Sequence, residues 1–478
     1  MRVLKFGGSS LADAQRIRGV CGIIGQARHR EPIAVVLSAM KGVTNLLLQS
    51  AGEAAVGDAA YHDHALEIFA QHADAAETLF PATERASVLA PVEELMAELT
   101  ELLRGVELVK ECSPRTMDLI ASFGERMSCR LVAAYLDSIG TPAITIDARN
   151  LIITDDYHGS AAVDFRLSYR LIAEALRDLH EVPIITGFIA ATGEGVTTTL
   201  GRNGSDYTAS LVGAAVGAGA IEIWTDVDGV LSADPRYVPE AFVVSRLSFK
   251  EAMELSYFGA EVIHPYTMVP AVEKNIPIWI RNTLNPGAAG TRISAEPVHD
   301  KHPITGIASI DNVSLVNVEG GGMVGVPGMA GRVFSTLARV GVNVIMISQA
   351  SSEHSICIVC RQGQARAAIE GLQSELAHEL THKQIERFEL IEDLEIIAVI
   401  GEKMRGTPGI SGRLFSALGD AGINILAIAQ GSTEMNISFL VHRDDRERTL
   451  QVVHRAFFGD GNGAGARSGR AGAAGAKR

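Results

Sequence analysis

Val3-Leu4-Lys5-Phe6-Gly7-Gly8-Ser9-Ser10 opens as an apolar strand bearing one lysine, then breaks into two glycines and two serines. A strand that turns through Gly-Gly ahead of a helix presents unpaired backbone N–H groups. With a helix N-terminus behind them, such donors suit anionic phosphate oxygens. Lys5 adds a point charge to that turn. The order differs from the common GxxxxGK[ST] phosphate loop, because here the lysine precedes the glycines. Taken alone, the segment reads equally well as an ordinary tight turn.

Working outward, further apolar runs follow at Ile33–Ser38, Ala143–Ile146, Val182–Thr186, Ile221–Thr225 and Ile276–Ile280. Helical patterns lie between them, including Met117–Leu136 and Tyr207–Gly217. Near-continuous apolar strands alternating with helices predict an α/β fold, a mainly parallel open sheet covered by helices, over residues 1–295. Ligands of such sheets bind beyond the carboxyl ends of the strands.

From about residue 311 the pattern changes to an internal repeat. Pro327-Gly328-Met329-Ala330-Gly331-Arg332-Val333-Phe334 recurs as Pro408-Gly409-Ile410-Ser411-Gly412-Arg413-Leu414-Phe415, an offset of 81 residues. Gly341-Val342-Asn343-Val344 maps onto Gly422-Ile423-Asn424-Ile425, and Ile347-Ser348-Gln349 onto Ile428-Ala429-Gln430. Two copies are too few for a solenoid and predict a pair of small βαββαβ domains. The second copy ends near Phe458 without its fourth strand, which 304–310 can supply. The expected division is therefore 1–295, a first repeat domain at 311–391, and a second at 302–310 with 392–458. The first would be nested in the second. The Gly/Ala-rich stretch 459–478 is expected to be disordered.

Composition narrows the function. Among 478 residues, 47% are hydrophobic and 21% charged, enough to bury sizeable cores. The 42 basic against 56 acidic side chains, a net −14, disfavour nucleic acid as the main partner. No stretch reads as a membrane span or signal peptide. Five cysteines suit a reducing compartment, and Cys357 with Cys360 read as two strand cysteines rather than a metal pair. A cytoplasmic location is expected.

Four further segments carry chemistry. Gly201-Arg202-Asn203-Gly204-Ser205-Asp206, between a strand-like run and a helix, offers N–H groups for phosphate and a guanidinium fork for a carboxylate. Asp206 is either a helix cap or a partner for Lys5 or a metal-bound nucleotide. Thr225-Asp226-Val227-Asp228-Gly229 with Ala233-Asp234-Pro235-Arg236 ends a strand in a carboxylate-rich turn, suited to a nucleotide or to plain turn formation. Gly124, inside the helical stretch around Phe123-Gly124-Glu125-Arg126, costs about 1 kcal/mol relative to alanine and predicts close approach by a ligand or another backbone. Glu125 is a candidate for a substrate ammonium, or a solvated helix glutamate. Ser38 to Asn45 adds hydroxyls for a small polar substrate.

KFGGSS, SAMKGVTNLL, SFGERMS, GRNGSDYTA, WTDVDGV with ADPR, and EAMELSYFGAEVIHP together resemble aspartate kinase, of the amino acid kinase superfamily. The likeness runs from Met1 to about Phe458. The repeats look like ACT-type regulatory domains, similar in flavour to the kinase half of bifunctional aspartate kinase–homoserine dehydrogenases; a monofunctional enzyme is expected. The resemblance implies transfer of the γ-phosphoryl of Mg-ATP to the side-chain carboxylate of L-aspartate. It assigns Lys5 to the transferring phosphoryl, with Gly7, Gly8, Ser9 and Ser10 around it, and Asp206 to orienting the lysine and the metal-bound phosphates. Thr225, Asp226, Asp234 and Arg236 would line the ATP site, while Ser38, Thr44, Glu125 and Arg202 would hold aspartate. Mg2+ would travel on ATP, without direct protein ligands. Asn343, Gln349, Asn424 and Gln430 are candidates for an amino-acid effector, threonine or lysine, at ACT domains paired between subunits of a homodimer or larger assembly. Stand-alone kinases of this subtype also serve ectoine biosynthesis. Two departures bear on ATP affinity: Glu261 stands where the family commonly has lysine, and Leu231 where a tyrosine is frequent. The rival readings are a kinase for another carboxylate, such as glutamate or N-acetylglutamate, and a non-catalytic amino-acid sensor.

Overall fold

A computed structural model of the chain describes residues 1–259, 265–296, 302–323, 327–349 and 355–459. Its compact units are Met1–Ser232 with Phe242–His299, and Ala233–Ala241 with Asp300–Arg478.

In the first unit, β1 (Arg2–Phe6) is flanked by β2 (Ile33–Leu37) and, later in the chain, by β8 (Ala220–Thr225). The other strands are β3 (Ala143–Ile146), β4 (Ile153–Thr154), β5 (Val182–Thr186), β6 (Ile189–Thr192), β7 (Thr197–Thr199), β8 (Ala220–Thr225), β9 (Arg246–Ser248), β10 (Ile278–Asn282) and β11 (Thr291–Ser294). Eight of these form one sheet in the order β3-β5-β2-β1-β8-β10-β11-β9, parallel except where β10 meets β11. β4, β6 and β7 form a second, small sheet. The α/β expectation therefore holds, and its reason is visible in β2, whose five residues are all buried. A strand covered on both faces has no polar side to alternate with.

The helix expected over Met117–Leu136 is two, Pro114–Ala121 and Phe123–Ser138, broken at Ser122. Gly124 answers a close approach, since a Cβ there would lie 2.7 Å from the Cβ of Ala39. The neighbour is the turn after β2, rather than a ligand.

The second unit is built on two 14-residue strands, β12 (Gly306–Glu319) and β15 (Arg387–Ile400), paired antiparallel along their lengths. With β13 (Val344–Gln349), β14 (Ser355–Arg361), β16 (Ala427–Ala429) and β17 (Asn436–His442) the order is β13-β14-β12-β15-β17-β16. Residues 313–319 of β12 pair with β14, whereas 306–310 lie beyond that pairing and face only 396–400 of β15. Residues 394–400 of β15 pair in turn with β17. Asn312 and Asp393 adopt left-handed backbone (φ 52° and 56°) where each long strand exchanges partners. Asn and Asp tolerate that region better than most residues.

Residues 233–241 depart from an uninterrupted 1–295 domain. Ala233 and Val238 are buried in the cluster of Ile397, Phe439 and Phe457, and the Arg446 guanidinium lies 4.4 Å from the centre of the Tyr237 ring. The expected disordered tail, 459–478, lies outside the described residues beyond Gly459.

Glu395 on β15 has no exposed surface, and Arg446 approaches it at 3.4 Å. Burial outweighs that attraction and pushes the carboxyl up to about 7, with Asp311 also raising it and Arg443 opposing. The folded protein thus holds a proton that the unfolded chain, with its ordinary value of 4.5, releases earlier. This contribution to stability is full below about pH 4.5 and is lost as pH rises through about 7. Glu395→Gln is expected to flatten the fall of the thermal midpoint between about pH 5 and 8, measured by calorimetry. An unchanged slope would show that Glu395 does not set it.

Candidate active site

Three turns converge at the carboxyl ends of β1 and β2. The turn after β1 packs on that after β2 because Gly8 has no side chain: a Cβ there would lie 3.0 Å from the Ala39 carbonyl oxygen. The turn after β5 brings in the third, since a Cβ on Gly187 would sit 2.6 Å from Ser205 and 2.9 Å from the Leu37 carbonyl. Asn203, in left-handed backbone, starts the helix Gly204–Val216.

These turns enclose a cavity of about 740 Å3. It collects Lys5, Gly7, Gly8, Ser9, Ser38, Thr44, Glu125, Arg202 and Asp206 from the sequence-derived set. Lys5 Nζ lies 2.7 Å from Asp206 Oδ1, with both side chains largely shielded from solvent. Asp206 therefore reaches the lysine rather than acting as the side-chain cap of its helix, for which no bond is present. Glu125 is 2% exposed; its Oε1 accepts from the Ala39 N–H at 3.1 Å and its Oε2 has no hydrogen-bond partner. Burial pushes its carboxyl up to about 8, opposed by the Ala39 N–H and by the charge of Lys5. Arg202 is exposed at the rim, and among the described residues no ion pair engages its guanidinium. The cavity thus offers a shielded ammonium, a free guanidinium and a carboxyl with one open oxygen.

The remaining sequence-derived residues lie elsewhere. Ser10 is buried, with its hydroxyl 2.7 Å from that of Thr283 and 3.4 Å from the Trp224 carbonyl, so it ties strand ends together instead of lining the cavity. Thr225 ends β8 and donates to Asp226 at 3.2 Å. Asp234 and Arg236 fall in the second unit, joined by a two-pronged ion pair with bonds of 3.0 and 2.6 Å. Leu231 is half-buried and bridges Val243, and Glu261 lies outside the described residues. Asn343, Gln349, Asn424 and Gln430 are all exposed, at or near β13 and β16. The Ser348 hydroxyl donates to the Ile428 carbonyl at 3.0 Å, so those corresponding strands of the two repeats meet.

Asp118, Lys41, Phe188 and Ser205 also line the cavity and were not singled out from sequence. Lys41 and Ser205 stand inside quoted motifs. Asp118 and Phe188 carry no such signal.

The model of the amino acid kinase family matches residues 1–282, and that of the ACT domain matches 316–376 and 397–457. The chloroplastic aspartokinase 1 of Arabidopsis thaliana is 37% identical over 470 residues, covering 96% of this chain and 80% of that protein. The chain belongs to the aspartokinases of the amino acid kinase family. The chloroplastic bifunctional aspartokinase/homoserine dehydrogenase 2 of the same plant is 38% identical over 463 residues, 95% of this chain and 50% of that protein. This aspartokinase family member thus spans about half the length of its bifunctional relatives. Aspartokinase III of Escherichia coli, in complex with aspartate and ADP, superposes with a TM-score of 0.77 at 30% identity, covering 95% and 99% of the two chains. The same enzyme with lysine and aspartate gives 0.76, also at 30% identity, covering 96% and 99%.

The state of Glu125 is directly observable. Infrared difference spectra of wild type minus Glu125→Gln are expected to show a protonated-carboxyl band at pH 6 that disappears around pH 8. No such band at pH 6 would refute the assignment.

Proposed function

We propose that this protein is an aspartate kinase, transferring the γ-phosphoryl of Mg-ATP to the side-chain carboxylate of L-aspartate to give 4-phospho-L-aspartate and ADP. The observation that carries this reading is the single cavity holding the Lys5–Asp206 pair, the unpaired Arg202 and the half-satisfied Glu125. A substrate with one ammonium and two carboxylates complements that set. Arg202 takes the α-carboxylate, Glu125 Oε2 takes the ammonium, and Ser38 and Thr44 steady the reacting carboxylate near Lys5. One of its oxygens bonds to the γ-phosphorus as the bond to the β-phosphate bridging oxygen breaks, and ADP leaves with that electron pair. No general base is needed, because the nucleophile is already ionised.

Catalysis then rests on alignment and on neutralising the charge of the phosphoryl oxygens. Lys5, with the N–H groups of Gly7 and Gly8 and the hydroxyl of Ser9, supplies that on the protein's side. Among the described residues no group of three or more His, Cys, Asp or Glu side chains could hold a metal ion. The oxygen donors Ser9 and Asp206 would suit magnesium carried on the phosphates, through its water shell rather than as direct ligands. When bound, the ion spreads the phosphate charge. Thr225 and Asp226, at the end of the neighbouring β8, are our candidates for the nucleoside side.

We read the second unit as two nested ACT domains, supported by the pairing of 306–310 with 396–400 and by the family match at 316–376 and 397–457. Asn343, Gln349, Asn424 and Gln430 are our candidates for a threonine or lysine site, completed by a second subunit. The product enters the lysine, threonine and methionine branch or, without feedback, ectoine synthesis. Free cysteines throughout support a reducing compartment such as the cytoplasm. Among the described residues no helix is long and apolar enough to cross a membrane.

Aspartyl hydroxamate formed with Mg-ATP and hydroxylamine tests the activity, with threonine or lysine suppressing it if feedback operates. Lys5→Met is expected to lower kcat about 100-fold or more, and Arg202→Lys to raise the KM for aspartate about tenfold. Absence of hydroxamate at millimolar ATP and aspartate would refute the assignment. Because only ionised Glu125 accepts the ammonium, kcat/KM for aspartate should fall as pH drops below about 8, by up to tenfold per unit. A flat profile would remove Glu125 from substrate binding.

A further inference from the structure

Asp118 lies 3% exposed at the cavity wall, yet the cavity does not use its charge. Both carboxylate oxygens are taken by the protein. Oδ1 accepts from the Thr199 hydroxyl at 2.6 Å and the Gly159 N–H at 3.2 Å. Oδ2 accepts from the same N–H at 3.0 Å and from His158 Nδ1 at 2.8 Å. A carboxylate only accepts, so the His158 ring carries its proton on Nδ1. A buried charge this fully satisfied holds its donors in fixed places.

Those donors lie on two segments that carry Arg202. Thr199 ends β7, three residues ahead of the arginine. Gly159 belongs to the loop on which the arginine's turn rests: a Cβ on Gly201, which has φ +75°, would meet Ser160 Oγ at 3.1 Å and the Gly159 carbonyl at 3.3 Å. The loop and β7 are also laced directly, with the Ala161 N–H donating to the Thr199 carbonyl at 2.9 Å. Among the described residues Arg202 has no ion-pair partner of its own, so its position comes from this backbone. At its other end, Asp118 sits on the helix Pro114–Ala121, one residue short of the helix that carries Glu125.

We infer that Asp118, through Thr199 and the 157–160 loop, is a positioning residue that fixes Arg202 at a set distance from Glu125. This rests on the aspartate kinase reading, because Arg202 and Glu125 are the two groups that reading assigns to the amino acid's ends. A shift of about 1 Å in such a pair is enough to cost orders of magnitude in rate. Asp118 touches no reacting atom. Its loss should register in the use of aspartate and leave the use of ATP alone.

The test compares Asp118→Asn, Thr199→Val and Thr199→Ser in the full-length protein. Asp118→Asn turns an acceptor into a donor facing other donors, and Thr199→Val removes only the hydroxyl. Both are expected to raise the KM for aspartate about tenfold while the KM for ATP stays within about twofold. Thr199→Ser, which keeps the hydroxyl, restores most of the loss. Hydrogen exchange of the amides over 199–204, read without substrate, should accelerate in Thr199→Val and not in Thr199→Ser. If Asp118→Asn fails to fold, the Thr199 pair still decides. Unchanged aspartate KM and unchanged exchange in Thr199→Val would overturn the inference, as would equal rises in both KM values. Faster exchange in a protein whose wild type makes no aspartyl phosphate would sink the kinase reading and leave the positioning role standing.

Discussion

The Lys5–Asp206 pair sets the terms for everything around it. Two opposite charges at 2.7 Å, both largely withdrawn from water, join the central strand of the sheet to the first turn of the helix Gly204–Val216. Each needs the other, since removing one partner leaves an uncompensated buried charge. To bring them together the backbone turns must come closer than side chains allow. Gly8 against Ala39, Gly187 against Ser205 and Gly124 against the Ala39 Cβ are the places where that happens. The cavity is what remains between turns packed this tightly.

Of the three carboxyl groups that line that cavity, Asp206 and Glu125 meet opposite surroundings. Asp206 faces an ammonium. Glu125 has one backbone N–H and an unoccupied oxygen, and burial holds it protonated well into the neutral range. Environments that separate two like groups in this way commonly divide their roles. Here one lies against the lysine ammonium, and the other keeps one oxygen open to the cavity.

Much of this was legible in the sequence, for identifiable reasons. The parallel strands announced themselves as unbroken apolar runs because both faces are covered, as in Ile33–Leu37. The glycine turns were visible because only glycine permits the approach. The direction of the Ser10 hydroxyl was not, since it depends on Thr283 being delivered by a strand end 273 residues away. Nor was the grouping of Asp234 and Arg236 with the second unit, which follows from apolar neighbours on β15 and β17. Asp118 looked like any acidic residue on an amphipathic helix, and only its buried set of donors distinguishes it. The break at Ser122 was hidden because the apolar spacing continues across it.

The second unit holds its two repeats by sharing strands. β12 and β15 each run 14 residues, pairing with one repeat along one half and with the other along the next. Neither repeat owns a complete sheet, so neither can be excised without stripping the other of a neighbour. A disturbance that loosens either half of β12 or β15 therefore reaches the sheet of both repeats, so the two are mechanically one body although the sequence writes them twice.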